Sequence, residues 1–334
     1  MSWVERWWFE QDKRYLIPAL ILLLPLVPLF WLVTSIRRFG YQRGWFFVAQ
    51  PPVPLIVVGN LSVGGNGKTP MSIALIEHLK SQGYRPGLVS RGYGGQSENY
   101  PLLVTAEVNA KICGDEPKLI SLRTDIPVVV GPDRVACCER LVQQGVDVII
   151  SDDGLQHYRM GRSIEIVVVD AKRQFGNGFL MPFGPLREGK RRLASVDFVV
   201  ANGEHPDYEH VMTLEPQPIQ SVGKQSNKPL PTAFHAVCAI GHPERFFHTL
   251  HQEGVQLIDT HAFSDHHQFS AEDFQPFYDE QVLMTEKDAV KCAAMEIADH
   301  LWYLPVDAKL SEDFYAKIDA SLQHFNIRQN SHDN

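Results

Sequence analysis

Eight consecutive residues, Ser62, Val63, Gly64, Gly65, Asn66, Gly67, Lys68 and Thr69, have the types needed to hold a polyphosphate. The glycines let the backbone curl until its N–H groups converge on phosphate oxygens. Lys68 carries a cation to the β- and γ-phosphates, and Thr69 offers a hydroxyl to Mg²⁺. The template G-x-x-x-x-G-K-[ST] begins with Gly, where this chain has Ser62. A phosphate loop needs a carboxylate at the end of a neighbouring strand for its metal. Asp152 and Asp153 close the run 147–153 (DVIISDD) and meet that need, although Asp-Asp-Gly after a strand also reads as a turn. Asp115, in Gly114-Asp115-Glu116-Pro117, opens a predicted helix. It either caps that helix or, with its pKa lowered by the helix start, stands ionised to accept a hydroxyl proton. Asp265, His266 and His267 fit a metal cluster, a base with its partner, or a solvated loop. Arg91 and Arg187 lie on glycine-containing loops. There a guanidinium holds an anionic substrate or the transferring phosphoryl group, or simply faces water.

These residues act together only if strand ends gather on one edge of a sheet. Short apolar runs occur at 54–59, 86–90, 127–131, 146–151, 164–169 and 196–200, with helical candidates at 69–82, 115–124 and 133–145. Near-continuous Val/Ile runs predict strands buried on both faces, hence a parallel sheet between helices. The helix over 69–82 has Pro70 at its start, Gly83 beyond its end, and Met71, Leu75, Ile76 and Leu79 on one face. Residues 202–232 are polar and proline-rich, with one strand candidate at 210–214. A smaller α/β set follows, with strands at 235–240, 255–259, 281–285 and near 301–305 and a helix at 243–253. The expected organisation is an N-terminal segment over 1–45, a phosphate-loop domain over 46–205, a linker over 206–232 and a second α/β domain over 233–328.

Composition excludes other classes. With 31 Lys+Arg against 39 Asp+Glu the formal charge is -8, so no nucleic-acid partner held by phosphate contacts is expected. The 5 Cys show no C-x-x-C spacing, which indicates reduced thiols rather than disulfides or zinc. Residues 15–36 contain no charge. As one helix they would be about 33 Å long, enough for a bilayer core of about 30 Å. Trp3, Trp7, Trp8 and Trp31 suit the interfaces, while Pro18, Pro25 and Pro28 would kink a span or turn it into a hairpin dipping into one leaflet. Three basic residues before the run and three after it leave orientation undecided by charge.

In this order, SVGGNGKTP (62–70), SRGYGG (90–95), GDEP (114–117), SDDGLQH (151–157), GPLRE (184–188), FSDHH (263–267) and TEKDAVK (285–291) resemble the tetraacyldisaccharide 4'-kinases of lipid A biosynthesis. That family's phosphate loop commonly starts with Ser, as here. The resemblance implies a P-loop NTPase-like parallel sheet flanked by helices, a second smaller α/β lobe and an N-terminal membrane helix. It implies transfer of the γ-phosphate of ATP to the 4'-hydroxyl of a tetraacylated glucosamine disaccharide 1-phosphate, forming lipid IVA. Asp115 would be the base with His266 as partner, and Lys68 and Arg187 would act on the phosphates. Residues 62–69 would contact ATP, and Thr69, Asp152 and Asp153 would serve Mg²⁺. Arg91, Tyr93, Gln156 and His157 are the expected acceptor contacts. A monomer at the inner membrane is expected, touching membrane lipids and keeping its catalytic part in the cytoplasm. A guanine-specific switch would instead carry N-K-x-D or T-K-x-D, and the equivalent place reads Thr285-Glu286-Lys287-Asp288.

Overall fold

The computed structural model describes residues 3–10, 23–223, 229–278 and 280–330. Its larger sheet contains β1 (Leu55–Gly59), β2 (Pro86–Ser90), β3 (Leu102–Val104), β4 (Val128–Val130), β5 (Val148–Asp152), β6 (Ile164–Asp170), β7 (Phe198–Asn202), β8 (His210–Pro216) and β14 (Val306–Lys309). Their order is β14-β8-β7-β6-β1-β5-β2-β4-β3, with only the edge strands β14 and β3 antiparallel to their neighbours. Every residue of β1, β2, β5 and β6 is buried, as the unbroken apolar runs predict. On one face Met71, Leu75, Ile76 and Leu79 of α2 (Lys68–Ser81) pack with Ile120 of α3 (Asp115–Thr124). On the other, Cys137, Cys138 and Leu141 of α4 (Arg134–Gln143) join Leu155 and Met160. All five cysteines are free and buried.

The smaller sheet has the order β11-β10-β12-β13-β9. It is built from β9 (Gln220–Ser221), β10 (Phe234–Cys238), β11 (Leu257–Ala262), β12 (Val282–Thr285) and β13 (Leu301–Leu304), with α5 (Pro243–Gln252) and α6 (Glu286–Cys292) beside it.

The sheets divide the chain differently from the expected boundaries. The expected linker supplies β8 to the large sheet and β9 to the small one. The chain after β13 also leaves the second lobe. β14 pairs with β8, and α7 (Glu312–Asn330) places Phe314, Ile318 and Leu322 in the core beside Met71. The second lobe is therefore an excursion between two strands of the first.

Among the described residues no helix is long and apolar enough to cross a membrane. Part of the uncharged run over 15–36 lies outside the described residues. Its second half forms α1 (Leu26–Gln42), 17 residues long and about 25 Å at 1.5 Å per residue, which is short of a bilayer core. Pro25 stands at the N-cap and Pro28 in the first turn, where a missing N–H costs no intrahelical hydrogen bond. Among the described residues the expected N-terminal membrane helix is thus not found. What α1 and the turn after it present is an apolar surface: Leu29, Trp31, Leu32, Val33, Ile36, Phe39, Trp45, Phe46 and Phe47 are all exposed.

Candidate active site

Strand β1 lies between β5 and β6, so the connections diverge at its carboxyl end and open a crevice there. The loop from β1 to α2 lines it. Several of the loop's carbonyls are occupied: Leu61 O accepts from Arg187 N (2.7 Å), Gly64 O from Asn60 Nδ2 (3.4 Å), Asn66 O from Asn202 Nδ2 (3.0 Å) and Gly67 O from Met71 N (3.2 Å). Among the described residues, only Val63 of the stretch 62–69 spends its N–H on a backbone carbonyl, that of Pro185. Unspent N–H groups at the start of a helix make an anion site. Gly64 (φ +103°) and Gly67 (φ +93°) hold backbone angles that a Cβ penalises, and a Cβ on Gly67 would also overlap the Asn202 amide. Ser62 fits because its Oγ accepts from Asn66 Nδ2 (2.9 Å).

Asp152 ends β5 and is 1% exposed, and neither carboxylate oxygen has a hydrogen-bond partner among the described residues. Burial pushes its pKa up to about 7; Glu116 adds to the rise and Lys68 opposes it. A dry, unpartnered carboxylate beside a phosphate loop is the donor type a hard divalent cation takes, so these residues fit Mg²⁺. Asp153 is forked by Arg187, Nη1 to Oδ2 and Nη2 to Oδ1 both at 3.0 Å, with Lys68 Nζ at 3.7 Å. Burial works to raise the Asp153 carboxyl, but the Lys68 and Arg187 cations outweigh it and hold it well below the usual range. Arg187 also donates to Gln156 Oε1 (3.1 Å) and to Asn60 Oδ1, so it ties the Asp-Asp turn to the phosphate loop.

Asp115 is the first residue of α3, not its cap; Gly114 holds the cap position. Glycine is required there, since Gly114 (φ +94°) lies against Tyr93 O and Gly92. That backbone contact brings the loop 91–95 beside Asp115. Asp115 is 4% exposed. Its Oδ1 accepts from Glu116 N (2.9 Å), and its Oδ2 meets His266 Nδ1 of the second lobe at 3.1 Å and Lys287 Nζ at 3.8 Å. His267 turns away to Asp273 (3.1 Å). Of the three readings open for the Asp-His-His stretch, the geometry is that of a carboxylate with an imidazole partner. Tyr93 lies with its ring 5.0 Å from that of His266.

The other expected acceptor contacts separate. Arg91 is exposed, and Gln156 donates to Asn60 O (3.2 Å) and Glu188 Oε1 (2.9 Å) inside the same network as Arg187. His157 faces Arg134, Arg162 and Arg37; burial first, then these cations, push its pKa down to about 4, so it is neutral near pH 7. Three polar residues at the site, Asn60, Asn202 and Arg134, had no signal in the sequence, while Glu188 and Lys287 lay in quoted stretches without a role assigned to them. Arg134 is buried and donates to Ser151 Oγ (3.1 Å) behind the Asp-Asp turn. Lys287 lies within the quoted TEKDAVK stretch and pairs with Glu116 at 3.0 Å.

Burial alone would raise the Asp115 carboxyl; the His266 hydrogen bond and the Lys287 charge reverse this and lower it below 3.8. The same hydrogen bond raises His266 above 6.5 against the opposing effect of burial. The charged pair therefore exists between the lowered carboxylate value and the raised imidazole value. Its His266 share of stability is complete below pH 6.5 and fades as pH rises through the raised value. Its Asp115 share is complete above pH 3.8 and fades as pH falls through the lowered one. NMR titration of the imidazole should give a midpoint above 6.5 that falls back in Asp115→Asn; a wild-type midpoint at or below 6.5 contradicts the pair.

Residues 19–323 match the tetraacyldisaccharide-1-P 4'-kinase family. A tetraacyldisaccharide 4'-kinase of Pseudoalteromonas translucida (strain TAC 125) is 47% identical over 326 residues, 97% of this chain and 98% of its own length. Another, of Psychromonas ingrahamii, is 50% identical over 296 residues, covering 88% and 92%. The crystal structure of the "apo" form of LpxK from Aquifex aeolicus in complex with ATP matches with a TM-score of 0.77 at 26% identity, over 91% of this chain and 99% of that one.

Proposed function

The chain belongs to the tetraacyldisaccharide-1-P 4'-kinase family and phosphorylates the 4'-position of its lipid acceptor from ATP in lipid A biosynthesis, forming lipid IVA, and from that premise we propose how its residues divide the work. The loop 62–69 seats the ATP phosphates on its N–H groups, with Lys68 on the β- and γ-phosphates. The first lobe is in this sense a P-loop NTPase-like domain. Thr69, Asp152 and Asp153 are the groups that would hold Mg²⁺. When bound, that ion supplies charge neutralisation on the phosphates.

Asp115 accepts the proton of the 4'-hydroxyl as its oxygen bonds to the γ-phosphorus. The bond from that phosphorus to the bridging oxygen breaks, and ADP leaves with the electron pair. The observation that carries this assignment is the pairing of buried Asp115 with the half-buried His266 across the two lobes. His266 keeps the carboxylate ionised and fixes its orientation through the Nδ1 hydrogen bond. Arg187 locks Asp153 and the phosphate loop in register. Arg91, Tyr93 and Gln156 line the way to the acceptor, and the neutral His157 lies one residue beyond.

The apolar surface of residues 23–47 supports the membrane role of the 1–45 segment. Acyl chains stay in the bilayer while the sugar head group enters the crevice, and the need for ATP puts the catalytic part on the cytoplasmic side of the inner membrane. The segment touches the catalytic body: Arg38 donates to Ser195 Oγ (2.8 Å), and Tyr41 lies 5.9 Å from Tyr158, two residues past Gln156. We take the protein to act as a monomer: both halves of the Asp115–His266 pair come from one chain, so the pair needs no second copy.

Purified protein given γ-labelled ATP and the tetraacyldisaccharide 1-phosphate should place label in the organic phase and consume ATP only when the lipid is present. ATP consumption independent of lipid would indicate a switch rather than a kinase. Deleting residues 1–38 should release the protein from membranes and impair use of the lipid while ATP binding survives. Unchanged sedimentation with membranes would put the anchor elsewhere.

A further inference from the structure

The phosphate loop is also held from the second lobe. Arg245, on α5, extends its guanidinium across the lobe boundary to the carboxyl ends of two strands of the large sheet. Nη1 meets Asp170 Oδ2 (3.3 Å) at the end of β6, and Nη2 donates to Asn202 Oδ1 (2.8 Å) at the end of β7. Asn202 is 3% exposed, and its Nδ2 donates to Asn66 O (3.0 Å) inside the loop. Having a donor on one side and an acceptor on the other fixes which way this amide points. Asp170 is itself fixed by the N–H groups of Lys172 (3.0 Å) and Arg173 (2.8 Å). Gly241, at the turn before α5, completes the contact: a Cβ there would stand 3.7 Å from Gly65 N and 3.2 Å from Asp265 Oδ2, next to His266. Gly241 thus lies close to the phosphate loop, and Arg245, four residues on, reaches the same loop through Asn202.

We propose that Arg245 and Asn202 form a latch by which the second lobe holds the phosphate loop in the shape that receives nucleotide. The physical basis is the Asn66 peptide. With its carbonyl drawn to Asn202, the neighbouring N–H groups stay turned into the crevice; released, that peptide can rotate and present an oxygen to phosphate. Arg245 holds the Asn202 amide in the orientation that does this. Both are positioning residues, touching neither phosphate nor acceptor. The inference rests on the assignment of loop 62–69 to the ATP phosphates.

The test is steady-state kinetics of the full-length protein in lipid–detergent micelles. Arg245→Ala and Asn202→Ala should each raise KM for ATP about tenfold, leave KM for the lipid within about twofold, and combine to no more than the larger single effect, because they act in series. Arg245→Lys should not rescue, since an ammonium cannot fork to Asp170 and Asn202 together. Asn202→Ala keeps the test open should Arg245→Ala fold poorly. An unchanged KM for ATP in both variants, or effects that multiply in the double variant, overturns the latch. Equilibrium binding of ATP to Lys68→Ala, which needs no turnover, separates the two layers. If ATP affinity is untouched there, the phosphate-loop assignment itself falls. If it is lost there but intact in Arg245→Ala and Asn202→Ala, the latch alone falls.

Discussion

Lys68→Ala is expected to abolish phosphoryl transfer while leaving the protein folded. Lys68 opens α2, and in the resting structure its ammonium lies 3.7 Å from Asp153. Removing it does not strand that carboxylate, because Arg187 keeps both of its oxygens through two 3.0 Å bonds. The loop's shape comes from Gly64, Gly67, Asn66 and the donors on its carbonyls, none of which involves the lysine side chain. What disappears is the cation facing the charge that develops on the phosphates, and loss of one such preorganised group typically costs about 10²–10³ in rate. Thr69→Ala should behave similarly through its hydroxyl. Thermal melting and single-turnover transfer check both variants. Near-normal turnover in both would remove the loop from the mechanism.

Asp115→Asn is expected to lower the rate at least ~100-fold with normal melting and retained ATP affinity. A pure helix cap predicts little change, since asparagine keeps an oxygen for the Glu116 N–H, and Asp115 does not occupy the cap position in any case. The carboxylate meets an imidazole from another lobe, and an amide can keep that hydrogen bond but cannot take a proton. His266→Ala should cost less than Asp115→Asn, and the double variant should be little worse than Asp115→Asn alone, because the two act as a unit. Wild-type turnover in Asp115→Asn would move the base to Asp152 or Asp153. Of these, Asp152 is the one whose carboxyl burial raises, whereas Lys68 and Arg187 hold Asp153 low.

Strands that are buried on both faces announce themselves by composition, so β1, β2, β5 and β6 were readable from Val/Ile runs. So was α3, whose Pro117 and acidic first turn fit a helix start. Where the second lobe ends was not readable. Phe314, Ile318 and Leu322 have helical spacing, but spacing says only that one face is apolar, not which sheet covers it. The short edge strand β3 carries too few residues to show a period. At the site, Lys68, Asp115, Asp152 and His266 stood in compact stretches with a recognisable chemical purpose. Asn60, Asn202 and Arg245 are single polar residues at strand ends or on an amphipathic helix. Their roles arise only when β1, β7 and α5 are brought side by side, and local sequence does not carry that information. In the N-terminal run the prolines signal a kink or a hairpin, but sequence alone does not say which of them starts a helix; in the structure it is Pro25.

The chain leaves the large sheet along β8 and returns along β14, and those two strands are hydrogen-bonded to each other from Thr213–Lys309 to Pro216–Val306. The second lobe is therefore a closed ring of polypeptide knotted at its neck by a strand pair, with its two ends about 5 Å apart. A body held at both ends cannot swing through the volume open to one on a single flexible tether. Its remaining freedom is a tilt and twist about the neck. His266 consequently approaches Asp115 as an intramolecular neighbour at high effective concentration, and little translational entropy is left to lose when the two meet. The same geometry makes the ring tolerant of a break: a nick anywhere between β9 and β13 leaves each fragment still paired into the large sheet through β8 or β14.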